Sequence, residues 1–237
     1  LDTRVGGLLC VLLAAVNVVF ALRFFRDERV PRNLVYLLIG IVLTFISLAA
    51  PIQLDGNYIT LFWAAEGVLL VWFAHRSGIK LVERASMAVT VLMVISLLMD
   101  LGLYNAPRHI AMQPLVNRLF ITGLAAIGSL ALQHRLWANW AREHEPLYGL
   151  GVASLRGFYA ASSTVLGFIV GLLELNYQLD RFLPDGSVAM AEMAYILLYL
   201  LLVDRFTRNA ASAVRYFVGG MFGIAFLLFI TWHYDMG

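Results

Sequence analysis

The sequence predicts an all-α fold: a polytopic transmembrane helical bundle of about eight spans, forming a single transmembrane domain over residues 1–237. Composition is the first reason. Hydrophobic residues make up 61% of the chain and charged residues 14%, with a mean hydropathy of +0.81; soluble domains have roughly 45–50% and 25%. The second is that apolar runs near span length recur along the whole chain, separated by short polar turns. The third is the alternation of basic residues. Of the 17 Lys and Arg, thirteen fall in every second loop and four in the others, as the positive-inside rule requires.

Taken in order, the spans are expected at 5–22, 34–51, 59–74, 86–104, 119–133, 157–175, 188–203 and 214–232. The first is followed by Arg23, Arg26, Arg29 and Arg32. A secretory signal carries its basic residues before the apolar run and a small-residue cleavage pattern after it, so this segment reads as a retained helix. Pro51 ends or kinks the second span, because it brings no amide hydrogen and crowds the preceding turn. The third, fifth and seventh runs are short for spans, to be lengthened by polar neighbours or met by a thinner bilayer.

Arg76, Lys80 and Arg84, then Arg135, Arg142 and Arg156, then Arg205, Arg208 and Arg215 mark the later inner loops. Arg4, Arg108, Arg118 and Arg181 lie on the other side, where an even number of spans also puts both termini. In the inner connection 134–156, Trp137 and Trp140 stand between Arg135 and Arg142. They fit a short helix in the inner headgroup layer, ended by Pro146, or simply the aromatic belt.

Gly167 and Gly171, and Gly219 and Gly223, have the small-xxx-small spacing that brings helix backbones close. Asn17, Ser162, Ser163 and Thr164 can hydrogen-bond across helices. Asp55-Gly56 precedes a short apolar helix with Glu66, and Asp185-Gly186 precedes another with Glu192. This suggests two four-helix repeats, 1–117 and 118–237, of the same orientation.

Candidate binding residues follow from the cost of charge in hydrocarbon. An acidic side chain near mid-span costs on the order of 2.5–3.5 kcal/mol, so it turns to a partner or a wet cavity. Glu66 is the deepest, with Trp63 one turn before it. Asp100, Glu174 and Glu192 also fall in the outer halves of spans, and Asp55 lies in an outer turn. Arg118 is a candidate ion-pair partner for Glu66. Together they give the outer side an acidic bias suited to a cation, a proton relay or a polar head group. The alternative for each is a solvated, locally paired or interhelically bonded carboxylate.

Other classes lose ground. A net charge of +2 with dispersed basic residues gives no nucleic-acid footprint. Cys10 has no intrachain partner, so there is neither a disulfide framework nor a cysteine metal site. His75, His109, His134, His144 and His233 lack metal-ligand spacing, and no nucleophile elbow or phosphate loop is present. No catalytic residue, metal site or cofactor is therefore assigned.

The stretch from Gln53 to Trp72 resembles the recurring signature of a family of large bacterial multi-pass proteins known only as predicted membrane proteins of unknown function. Pro51 before an apolar run, Leu54-Asp55-Gly56, Tyr58, Thr60, then Trp63, Ala64 and Glu66 carry the likeness. It implies the bacterial inner (cytoplasmic) membrane, with periplasm on the outer side. Family members are usually longer, so it also implies a fragment or a reduced form; the missing initiator Met agrees. It transfers no activity, but it singles out Trp63 and Glu66.

The expected function is a transporter or flippase component for an envelope-related solute or lipid-linked molecule. The partners are the lipid bilayer and other membrane subunits. A non-catalytic scaffold or assembly subunit is the second reading, and a membrane-embedded hydrolase or transferase using carboxylates is the third.

Overall fold

A computed structural model describes residues 12–13, 15–20, 23, 31–105, 113–140, 151–207 and 220. Among them every regular element is helical: α1 (Arg32–Gln53), α2 (Asn57–Ser77), α3 (Lys80–Leu101) with a 3-10 turn (Gly102–Asn105), α4 (Arg118–Trp140), α5 (Val152–Leu179) and α6 (Asp185–Thr207). Residues 12–13 and 15–20 are helical as well.

Five segments are long and apolar enough to cross a bilayer: Asn57–Ser77, Lys80–Tyr104, Arg118–Asn139, Ala153–Leu179 and Gly186–Arg205; Leu37–Gln53 is a shorter apolar helix. The chain is thus a multi-pass helical membrane protein. The runs that look short in the sequence are not short helices. α2 has 21 residues, α4 23 and α6 23, because polar residues such as His75 and Arg76 continue the helix into the interface without hydropathy. The eighth span, 214–232, and both termini fall almost wholly outside the described residues, as do Gly219 and Pro146.

Local chemistry sets the helix ends. Gly56, before α2, has φ 52° and ψ −127°, a region that a side chain makes costly. Gly78 closes α2 in the left-handed region at φ 66°, its N–H bonding the Ala74 carbonyl at 2.8 Å. Only Gly78 and Ile79 then separate α2 from α3, so the two form a tight hairpin. Asn117 caps α4: its Oδ1 accepts from Phe120 N at 2.8 Å. Asp185-Gly186 behaves differently from Asp55-Gly56. It lies inside the first turn of α6, and Gly186 is not among the positive-φ glycines.

The chain forms two compact units, Leu1–Leu166 and Gly167–Gly237. In the first, cross-helix bonds fix the directions. Ser47 meets Glu66 and Thr60 meets Asp100, so α1 and α3 run antiparallel to α2. Ser129 bonds the Ala64 carbonyl, and Gln133 lies against Gly67, so α4 runs parallel to α2. Ser163 reaches Ile127 O at 3.5 Å and His134 meets Arg156 O at 3.0 Å, which sets α5 antiparallel to α4. The ends bearing Arg76, Lys80, Arg84, Arg135 and Arg156 thereby come to one end of this unit.

Burial follows helical spacing. α2 buries Thr60, Trp63, Ala64, Glu66, Gly67, Leu70, Val71 and Ala74, while Leu69, Trp72 and Phe73 are exposed. α3 likewise turns Val91, Leu92, Ile95, Leu98 and Met99 outward. An apolar exterior around polar buried positions is the arrangement that lipid favours.

Trp137 corrects one expectation. It is 1% exposed, on an α4 that continues to Trp140. It packs inside the bundle and is not part of a separate headgroup helix. Leu155 and Tyr159 of α5 are likewise fully buried.

In the second unit, the α5 glycines receive side chains where backbone contact was expected. A Cβ on Gly167 would stand 2.8 Å from the Tyr199 hydroxyl, and one on Gly171 would run into Tyr195. The Tyr195 hydroxyl lies 3.1 Å from Phe168 O, and the Phe168, Tyr195 and Tyr199 rings pack together at centroid distances of 5.4–5.9 Å. Thr164 and Asn17 spend their side-chain donors on carbonyls four residues back.

Candidate functional site

The hydrogen bonds described between α1 and α2 meet at one residue, Ser47, and a proline explains why. In a regular helix the Ser47 carbonyl would receive the N–H of residue 51. That residue is Pro51, inside α1, which has none to give. A carbonyl left bare in hydrocarbon costs several kcal/mol by general estimate. Trp63 supplies the missing donor, its Nε1 lying 3.2 Å from Ser47 O. The Ser47 hydroxyl in turn donates to Glu66 Oε1 at 2.6 Å. Pro51, Trp63 and Glu66 thus converge on one serine.

Glu66 is 7% exposed. Its Oε1 is held by Ser47, while Oε2 is buried with no hydrogen-bond partner. Arg118 does not supply one. It lies exposed at the start of α4, and no ion pair joins it to Glu66 among the described residues.

Toward the other end of α2, Thr60 is fully buried and Asp100 is 8% exposed. The Thr60 hydroxyl donates to Asp100 Oδ2 at 2.7 Å and lies 2.6 Å from Ser96 Oγ. A hydroxyl has one proton. With that proton given to Asp100, Ser96 is the donor of the second bond. Thr60 and Glu66 are six residues apart on α2, about 9 Å along the axis.

A third polar group lies where α2, α3 and α4 meet. Thr90 Oγ1 is 2.9 Å from Gln133 Oε1, Gln133 Nε2 donates to Ser129 Oγ at 3.1 Å, and Ser129 donates to Ala64 O at 2.7 Å. Gly67 makes room for it, because a Cβ there would stand 3.1 Å from Gln133 Nε2 and 3.4 Å from Thr90 Oγ1.

Among the other candidates, Asp55 is exposed in the turn before α2. Glu174 and Glu192 lie in the second unit. Gln178 donates to Glu174 Oε1 at 3.0 Å, and Asn176 Nδ2 donates to Glu192 Oε1 at 2.5 Å. Glu66, Trp63 and Asp100 therefore belong to the polar interior of the first unit, and Glu174 and Glu192 to local amide contacts in the second.

Ser47, Thr60, Ser96 and the Thr90–Gln133–Ser129 group complete the site, and sequence reasoning did not assign them. For Ser47 a signal existed, since it is the residue four before a helical proline. Ser129 and Gln133 are also four apart, hence on one helix face. No group of three or more His, Cys, Asp or Glu that could hold a metal ion occurs among the described residues.

The family described as "Predicted membrane protein (DUF2339)" matches residues 6–236. The chain belongs to this family. Comparison with curated proteins and with solved structures gives no match.

Proposed function

We propose that this member of the predicted membrane protein family works in the bacterial inner membrane as a transporter or flippase component, handling an envelope-related solute or lipid-linked molecule. The observation that carries the reading is Glu66, a buried carboxyl inside an apolar helix with one oxygen bonded and the other unpartnered. Residues of this kind mark substrate, ion and proton pathways in membrane proteins. Asp100, with Thr60 and Ser96, extends the polar interior toward the helix ends assigned to the outer side.

The test needs no known substrate. Cysteine is introduced at Ser47 in a Cys10→Ser background, and a membrane-impermeant maleimide is applied from either side of oriented vesicles. Transport by alternating access predicts labelling from both sides, each under its own conditions. Labelling from one side only, or none, rejects it.

The scaffold reading has its own support in the Ser47 junction, which ties α1 to α2 by bonds from Trp63 and to Glu66. A scaffold predicts that Glu66→Gln, which keeps an acceptor for Ser47, leaves function in the cell intact. Transport through an ionisable group predicts its loss.

A further inference from the structure

We propose that Glu66 is a reversible proton-binding site in the interior of the first unit. The ligand class follows from the charge. Glu66 Oε2 is buried and has no hydrogen-bond partner among the described residues, and binding a proton removes the cost of an unpaired buried carboxylate. A divalent cation takes six or more oxygens, and the described residues contain no group of acidic, His or Cys side chains able to hold one. A proton needs neither volume nor further ligands. On binding, an O–H bond forms at Oε2, the proton is given up by hydronium, which is left as water, and no electron is transferred.

Among the described residues no opposing charge is bonded to Glu66. On α1 no charged residue follows Arg32. On α3 the titratable and charged groups are Lys80, Glu83 and Arg84 at one end and Asp100 at the other. α4 carries Arg118 at its start and His134 and Arg135 near its end. α2 itself has His75 and Arg76 in its last turn, about 14 Å along the axis from Glu66. The Ser47 hydroxyl on Oε1 leaves Oε2 as the oxygen that takes the proton. The site deepens the transport reading by naming its coupling ion, and it is tested separately from that reading.

The experiment is infrared difference spectroscopy of the whole chain in phosphatidylglycerol–phosphatidylcholine vesicles during a pH titration in H2O and D2O. The expected result is a protonated-carboxyl C=O band that grows on acidification, shifts in D2O and is lost in Glu66→Gln. Ser47→Ala should shift that band, because it removes the bond to Oε1, and this holds the test open if Glu66→Gln does not fold. A titrating band that survives Glu66→Gln, or a band unmoved by Ser47→Ala, overturns the proposal. If Glu66 titrates but cysteine labelling is one-sided, transport fails and the proton site stands. If labelling is two-sided but Glu66 does not titrate, the proton site fails alone.

Discussion

Trp63 donates its indole N–H to the Ser47 carbonyl at 3.2 Å, and that carbonyl is the one Pro51 leaves without a helical donor. A defect made by the backbone of one helix is repaired by a side chain of the next. The pairing makes Pro51 and Trp63 energetically interdependent although neither touches the other in any bond described here.

The first prediction is that dependence. Trp63→Phe should destabilise the bundle by about 1 kcal/mol beyond its packing loss, the net worth of a hydrogen bond. In a Pro51→Ala background, residue 51 has its own N–H for Ser47 O, and the extra cost should vanish. A double-mutant cycle on unfolding midpoints in detergent measures it, and additive effects would refute it.

A second cycle addresses Ser47 and Glu66, whose bond is 2.6 Å long. Coupling of about 0.6–1.7 kcal/mol is expected, the range found between membrane helices. Glu66→Gln should keep most of it and Glu66→Ala none. Equal losses in the two variants would count against the bond.

Gly67 is the steric keystone of the three-helix junction. Alanine there presses on Gln133 and Thr90 at 3.1 and 3.4 Å, and leucine cannot be accommodated without parting α2 from α4. Gly67→Leu should cost about 1–3 kcal/mol or more as overpacking, and Gly67→Ala less. Detergent unfolding of the two variants reads the order directly.

In the second unit, Gly167→Ala should be destabilising because its Cβ meets the Tyr199 hydroxyl at 2.8 Å, while the Tyr199 ring carbon Cζ is 3.8 Å away. Removing only the hydroxyl, in Tyr199→Phe, should restore most of the loss. Gly171→Ala should resist rescue by Tyr195→Phe, since Tyr195 Cζ would itself stand 2.9 Å from the new methyl. Rescue of both, or of neither, would contradict this packing.

Trp137, 1% exposed, fills the interior of the first unit. Trp137→Ala should cost about 3–5 kcal/mol, far more than an interfacial tryptophan would. A small change in unfolding midpoint would return Trp137 to the headgroup layer.

Much of this molecule could be read from the chain alone, because a membrane helix satisfies its own backbone bonds and declares itself by local hydropathy. The described helices at 32–53, 57–77, 118–140, 152–179 and 185–207 each contain an expected span, and the helix at 80–101 covers all of the span expected at 86–104 except its end, which lies in the 3-10 turn. The turn glycine Gly56 and the buried carboxyl Glu66 were legible for the same reason, since backbone strain and the cost of charge are properties of single positions. What hydropathy could not supply was partnership. Glu66 finds Ser47 and not Arg118, Gly167 and Gly171 receive tyrosines and not a helix backbone, and Trp137 turns inward along a helix that does not stop. Each depends on helix register and rotation, which are fixed by side chains 16 to 65 residues apart in sequence. The sequence by itself determined that these segments are membrane helices and that Glu66 must find an answer inside the bundle. Only the tertiary structure decided that the answer is half given, by one serine, because hydrogen bonds between helices depend on the register of the two helices and local composition carries none of it.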